Sequence, residues 1–410
     1  MSKILDVYLH NNFVGHLVQD KHGQMLFTYS ESWLTNSDAM PLSQSLPLRK
    51  EAFKQKQCRG YFAGILPEEG KRDIIARNLG ISVGNDFALL KEIGGECAGA
   101  VIFLPAGEQL DNHAGKYKQL TEQELANIIQ ELPIKPLMAG KDGIRLSLAG
   151  AQDKIAVYIE NNKIFIPIDG ALSTHIIKPA HQRFQGLIFN EYICLKLAKL
   201  SGLHVANAEV ASVKGMNYLL IERFDRKINK DGKKVRLHQE DFCQALGIIS
   251  EMKYEAEGGP NLKTCFNLVR KISSRPAIDL QRLLDAVIFN FLVGNNDAHG
   301  KNFSFLYFSK DDVRLAPLYD IISTAYYPEL SNKMAMKIGG EYIAERVRPN
   351  HFGKLAIDTG LAKPRVKERI VDLTKIVLNN LAQIEVDNTI VEEIKILVKT
   401  RCERTLSLFV

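Results

Sequence analysis

Three oxygen-bearing side chains late in the chain, Asp297, Asn302 and Asp320, restrict what this sequence can fold into more than any other feature. Asp297 and Asn302 lie five residues apart in Gly294-Asn-Asn-Asp297-Ala-His299-Gly-Lys301-Asn302. The segment Leu315-Ala-Pro-Leu-Tyr319-Asp320 then reads as a buried strand that delivers Asp320 at its end. Phoshoryl transfer with magnesium needs such a set: one carboxylate faces the attacking hydroxyl, while an amide oxygen and a second carboxylate hold the metal on the ATP phosphates. A chain that uses them so must supply a phosphate loop, a phosphate-binding lysine and an adenine hinge, in that order, upstream.

Each of these has a candidate at the expected place. Arg145-Leu-Ser147-Leu-Ala149-Gly150-Ala151-Gln152-Asp153-Lys154 precedes a strand hairpin. Its small residues let backbone N–H groups approach phosphates, and its lysine adds a point charge. No Gly-x4-Gly-Lys-Ser/Thr loop occurs. Lys178 ends the apolar strand Thr174-His-Ile-Ile-Lys178 one hairpin later, where an amine can pair with α- and β-phosphates; Glu191 on the next helix is its candidate ion-pair partner. Leu219-Leu-Ile-Glu222-Arg223-Phe224-Asp225 marks the passage from strands to helices and holds the candidate hinge, which reads adenine through backbone groups. Taken singly, the loop reads equally as a Gly turn, the lysine as an exposed strand end, and Asn190 and Glu191 as surface residues. The order of the features argues against those plainer readings.

The fragment around Asp297 and His299 also resembles the Asp-x-His of dinuclear metallophosphatases. Those sites need several more histidines, and downstream of His299 only His351 remains. His299 is therefore expected to prop the catalytic loop at the nucleotide. An oxygen-only pair, Asn302 and Asp320, suits magnesium, which keeps waters and substrate phosphates as its other ligands. Asp320 is followed by Ile321-Ile-Ser rather than Phe-Gly, which argues against a mobile activation switch.

The 410 residues are 46% hydrophobic and 24% charged, ordinary for a globular protein with room for several domains. The formal charge of +6 is compatible with anionic ligands and is weak support for nucleic-acid binding. Six scattered cysteines lack zinc spacing and read as reduced, buried thiols of a cytosolic protein. The first residues lack a signal-peptide apolar region, and the longest apolar stretch, around residues 286–294, is too short to span a bilayer. A cytoplasmic protein without membrane contact is expected.

Periodicity predicts a strand meander (4–9, 13–18, 24–29), helices at 71–79 and 86–93, and a strand at 98–104. A helix opened by the capping box Thr121-Glu-Gln-Glu124 follows. Strands at 155–160, 163–168 and 174–178 precede a helix at 187–200, then strands at 206–213 and 218–223. Beyond Asp225 helices dominate, except for two short strands around 303–308 and 314–318. The expected fold class is α+β: a protein-kinase-like two-lobe fold, with a sheet-rich N-lobe and a helical C-lobe, preceded by a small N-terminal α+β domain. The segments are 1–106 (N-terminal subdomain), 107–143 (helical connector), 144–225 (N-lobe) and 226–410 (C-lobe with catalytic loop). Two basic runs, Arg226 to Arg236 around the turn Asp231-Gly232 and Lys363 to Arg369, read first as solvated faces.

Five ordered motifs together carry a resemblance that spans the chain. Ser147-Leu-Ala-Gly150-Ala-Gln-Asp-Lys154, Ile177-Lys178-Pro, Glu222-Arg-Phe-Asp225, Gly294 to Asn302 and Tyr319-Asp320-Ile-Ile-Ser are similar to those of the HipA family of bacterial serine/threonine kinases, the toxins of type II toxin–antitoxin modules. Glu92-Ile-Gly-Gly-Glu-Cys97-Ala-Gly is similar to part of that family's extra N-terminal domain. The resemblance implies that Asp297 is the catalytic base and that Asn302 and Asp320 are magnesium ligands. It implies that Lys178 and residues Ala149, Gly150, Ala151, Gln152, Asp153 and Lys154 hold the phosphates of ATP, with Glu222, Arg223 and Phe224 as the hinge. Ser147 matches an inhibitory autophosphorylation site. The implied partners are a HipB-like helix-turn-helix antitoxin, operator DNA mainly through that antitoxin, and glutamyl-tRNA synthetase as substrate. Asp153 stands where some members carry glutamate. A small-molecule kinase of the aminoglycoside or choline type, and a catalytically silent subunit of a repressor–DNA complex, remain the competing readings.

Overall fold

The computed structural model describes residues 2–108, 110, 116–141 and 143–410. Of the segment 107–143, positions 109, 111–115 and 142 lie outside the described residues. Contacts divide the chain into two compact units, over which the four sequence segments are distributed. One comprises Met1–Pro179, Ala211–Ser250 and Leu306–Asp311, the other Ala180–Val210, Glu251–Phe305 and Asp312–Val410.

The described residues of the first unit include a five-stranded and a six-stranded sheet. Strands β1 (Lys3–Leu9), β2 (Asn12–Gln19), β3 (Met25–Tyr29), β4 (Phe53–Lys54) and β5 (Val101–Pro105) are ordered β4-β3-β2-β1-β5. The turn between β1 and β2 places His10 and Asn11 at positive φ (49° and 68°), the geometry that a two-residue hairpin needs. The second sheet is built from β6 (Lys116–Gln119), β7 (Ile155–Glu160), β8 (Lys163–Ile168), β9 (His175–Pro179), β10 (Ala208–Val213) and β11 (Met216–Glu222), in the order β10-β11-β9-β7-β8-β6. The β7–β8 turn repeats the device with Asn161 and Asn162 at φ 50° and 60°. Strand β6 was not legible as a strand. Its Lys-Tyr-Lys-Gln is polar and mostly exposed, and pairing with β8 supplies what its own pattern lacks.

The motif around Glu92 to Gly99 ties the N-terminal elements of this unit to those following β11. Glu96, 1% exposed, receives hydrogen bonds from Arg223 (3.2 Å), from Arg226 (2.6 Å), and from the backbone and hydroxyl of Ser173 (2.9 and 2.8 Å); Arg236 also pairs with it. Arg223 forks onto Asp225 (3.0 and 2.7 Å), and Asp225 accepts the Gly99 N–H at 2.6 Å. Burial pushes both carboxyls up, but the arginines outweigh it, so Glu96 falls to about 2 and Asp225 also titrates below its usual range.

The second unit is chiefly helical, with long helices at Leu187–Leu200, Pro276–Val293, Lys363–Leu381 and Thr389–Phe409. Proline at the first helical position opens Pro276–Val293 and Pro349–Thr359, where its missing N–H costs nothing. Leu283, Ile288, Phe289, Leu292, Phe352, Ile370, Leu373 and Val398 are among the side chains that form its core. The chain after Asp225 carries more strand than its pattern suggested: the hairpin Lys333–Ile338/Glu341–Ile343 and the strand His238–Asp241. Glu341–Ile343 and His238–Asp241, of three and four residues, are too short to display a readable alternation. The basic run at 226–236 forms a hairpin, Arg226–Ile228 with Lys234–Arg236, around the turn at Asp231-Gly232. No helix among the described residues is long and apolar enough to cross a membrane. All six cysteines are buried free thiols.

Candidate active site

The helix Pro276–Val293 aims the candidate catalytic loop. Gly294, at φ 74°, caps it by donating toward Asn290 and Phe291 carbonyls, and a Cβ there would lie 2.8 Å from that of Ala325. Glycine is therefore required on two counts, left-handed backbone and close approach. Arg401, from the last helix, donates to the Phe291 and Leu292 carbonyls (2.9 and 3.3 Å), placing a cation at the negative end of the helix dipole.

Beyond the cap, side-chain and backbone bonds fix the loop residue by residue. Asn295 Nδ2 donates to Asn290 Oδ1 (2.8 Å), and Asn295 Oδ1 accepts the N–H of Asp297 (3.1 Å). Asn296 donates its N–H to Thr324 Oγ1 (2.8 Å) and accepts from Ala335 (2.7 Å). Asp297 itself is exposed, and its Oδ1 accepts the Tyr254 hydroxyl at 2.7 Å. The His299 N–H is shared between the Asp297 carbonyl (2.8 Å) and Asn302 Oδ1 (3.1 Å), while its ring packs edge-on to Tyr254 at 5.2 Å. These bonds make His299 part of what holds the loop.

Asn302 Nδ2 lies 3.3 Å from Asp320 Oδ2. Sequence reasoning set Asp320 at the end of a strand; the strand stops at Leu315, and Asp320 sits five residues on with φ 56°. The intervening Pro317 cannot donate to a ladder, which ends the pairing. The turn is held from both sides instead. Leu318 bridges Val205, with Ala206 N–H donating to the Leu318 carbonyl (2.8 Å), and the Tyr319 hydroxyl bonds the Lys301 carbonyl and Ser304 Oγ, both at 2.6 Å. On the far side, Asn190 grips the Ser323 backbone through both amide atoms (3.0 and 2.8 Å). A non-glycine residue at positive φ persists only where its surroundings over-determine it, and aspartate tolerates that region better than most.

Two hard oxygen donors, a carboxylate and an amide, fit a magnesium ion with open positions for phosphate and water. The Asn302 amide turns its nitrogen to Asp320, so presenting its oxygen to a metal requires rotation of that group. Among the described residues no three His, Cys, Asp or Glu side chains gather as a metal cluster, which leaves the dinuclear phosphatase alternative without its ligand set.

The nucleotide-loop candidates belong to the first unit. Lys178 lies in β9 opposite Leu219 of β11 and is 5% exposed. Ala149 to Lys154 run into β7 as an irregular segment, with Gly150 at φ 102° and Lys154 Nζ on the Ala149 carbonyl at 2.6 Å. Ser147 is fully buried, its hydroxyl donating to the Ile65 carbonyl at 3.0 Å. Glu222 closes β11 with its side chain exposed, and Phe224 is half-buried. The Arg223 N–H donates to Thr174 and its guanidinium is committed to Glu96 and Asp225. In the second unit, Asn190 and Glu191 are both fully buried rather than on the surface. Tyr254, Asn190 and Arg401 escaped sequence reasoning, because each acts on the loop from a distant segment with no local pattern to mark it.

Residues 146–381 match the HipA-like C-terminal domain and residues 5–104 the HipA N-terminal domain. Y4mE of Sinorhizobium fredii, named as a kinase, is 44% identical over 392 residues, covering 94% of this chain and 93% of the relative. The serine/threonine-protein kinase toxin HipA of Shewanella oneidensis is 30% identical over 424 residues, covering 98% and 96%. A solved structure of Shewanella oneidensis HipA, in complex with HipB and operator DNA, superposes with a TM-score of 0.87 at 28% identity over 99% of this chain and 98% of that one. Fold and relatives together define a protein of the kinase class, with a mixed α/β, kinase-like architecture. Within that class, the chain belongs to the HipA family.

Proposed function

We propose that this protein is an ATP- and magnesium-dependent serine/threonine protein kinase that acts as the toxin of a toxin–antitoxin pair. The observation that carries the reading is the 3.3 Å approach of Asn302 to Asp320 on a loop that also bears the exposed carboxylate of Asp297. Magnesium bound there would neutralise phosphate charge as it is transferred. Asp297 orients the incoming alcohol and accepts its proton, and the Tyr254 hydroxyl keeps that carboxylate aimed. Lys178 and the backbone of residues 149–154 draw the phosphates in, and residues 222–224 receive the adenine.

The partner is a helix-turn-helix antitoxin of the HipB kind, through which the protein reaches operator DNA; the Shewanella HipA complex supports this pairing. Glutamyl-tRNA synthetase is the proposed substrate, on the family resemblance alone. Ser147 is the proposed inhibitory autophosphorylation site. Its hydroxyl is buried against a carbonyl, and a phosphate of nearly two negative charges cannot remain there unpaired, so modification would expel the loop. Incubating the purified protein with γ-labelled ATP, magnesium and host lysate tests the reading. Label on a serine or threonine of a lysate protein is expected; label on a metabolite, or on nothing, contradicts it.

A further inference from the structure

The nucleotide loop is accompanied along its length by a segment from the N-terminal region of the same unit. From the end of helix Gln55–Gly64 into the first turn of helix Glu69–Asn78, the chain follows residues 147–153 and meets them at three successive points. The Ile65 carbonyl accepts the Ser147 hydroxyl (3.0 Å). Pro67 forms a parallel bridge to Gly150, whose carbonyl accepts the Glu68 N–H at 3.3 Å. Lys71 Nζ, on the first turn of the second helix, lies 2.6 Å from Asp153 Oδ1. The steps 65, 67–68, 71 and 147, 150, 153 keep pace, so the contacts form one strap rather than scattered touches.

We propose that this strap sets the position of the nucleotide loop, with Lys71 as its positioning residue; the inference rests on the kinase reading above. The ion pair is the strap's charged contact, and its side chains are only 19% and 13% exposed. Breaking a pair so shielded from water leaves a carboxylate that is costly to hold where it is. The unpaired Asp153 would also stand as a negative charge in the loop that receives phosphates. Lys71 therefore acts on ATP binding through Asp153, not on the transferred group. The same strap keeps the Ser147 hydroxyl on Ile65, so loosening it also frees Ser147.

The test is ATP kinetics and amide hydrogen exchange on the full chain. In Lys71→Ala, KM for ATP should rise roughly tenfold while kcat stays within about threefold, and the amides of residues 146–154 should exchange roughly tenfold faster without nucleotide. The exchange-of-charge double variant Lys71→Asp with Asp153→Lys should recover most of both effects, which a fold merely weakened by substitution would not do. Wild-type protein that binds no ATP overturns the kinase reading and this one with it. Normal wild-type binding, with KM and exchange unchanged in Lys71→Ala, or a double variant no better than either single one, overturns the strap alone.

Discussion

Asp297 was visible in the sequence as a carboxylate five residues before Asn302, but the means of holding it was not. The Tyr254 hydroxyl comes from a segment 43 residues upstream that carries no motif. Asp297→Asn keeps the shape of the side chain and removes the proposed proton acceptor. Turnover in a phosphotransfer assay should fall about 10²–10⁴-fold, the usual worth of a positioned general base. Near-normal turnover would mean that another group takes the proton. Tyr254→Phe removes one hydrogen bond to a carboxylate, so a smaller loss, about tenfold in kcat with ATP affinity unchanged, is expected. An effect as large as that of Asp297→Asn would show that Tyr254 does more than orient.

At the scale of elements, strands with clear alternation and helices with clear ends were read almost to the residue. The hairpin Ile155–Glu160/Lys163–Ile168 and the helix Leu187–Leu200 lie where apolar runs meet Asn-Asn and Ser-Gly signals. Where a short polar strand forms only because a distant partner completes it, as β6 does against β8, no local pattern existed to read. Asp320 illustrates the same limit: its apolar neighbours imitate a strand, yet they are held by Val205, Lys301 and Asn190. The capping box at Thr121 was legible and is formed, Thr121 Oγ1 accepting the Glu124 N–H at 3.2 Å and Glu124 receiving the Thr121 N–H at 2.9 Å. Thr121→Ala should cost about 1 kcal/mol in urea unfolding. No change would indicate that tertiary contacts alone hold that helix.

For the molecule as a whole, the Glu92 to Gly99 motif was legible only as a resemblance. Its work, gathering Arg223, Arg226 and Arg236 onto Glu96, depends on residues more than a hundred positions apart. Glu96 has its folded pKa depressed from 4.5 to about 2, so its stabilisation is complete above about pH 4.5 and is lost as pH falls toward 2. Asp225, also depressed from 3.8, begins to lose its share only as pH falls below about 3.8. Melting temperature should drop across this range in wild type. In Glu96→Gln, itself less stable at neutral pH because three arginines lose a counter-charge, the drop should be shallower. Equal slopes would remove Glu96 from the acid transition. The central claim, that Asn302 and Asp320 together hold the metal end of the nucleotide, is tested most directly by calorimetric titration of ATP with magnesium into wild type and Asp320→Ala. The account predicts binding in wild type that depends on magnesium and is lost in the variant; magnesium-dependent affinity preserved in Asp320→Ala would contradict it.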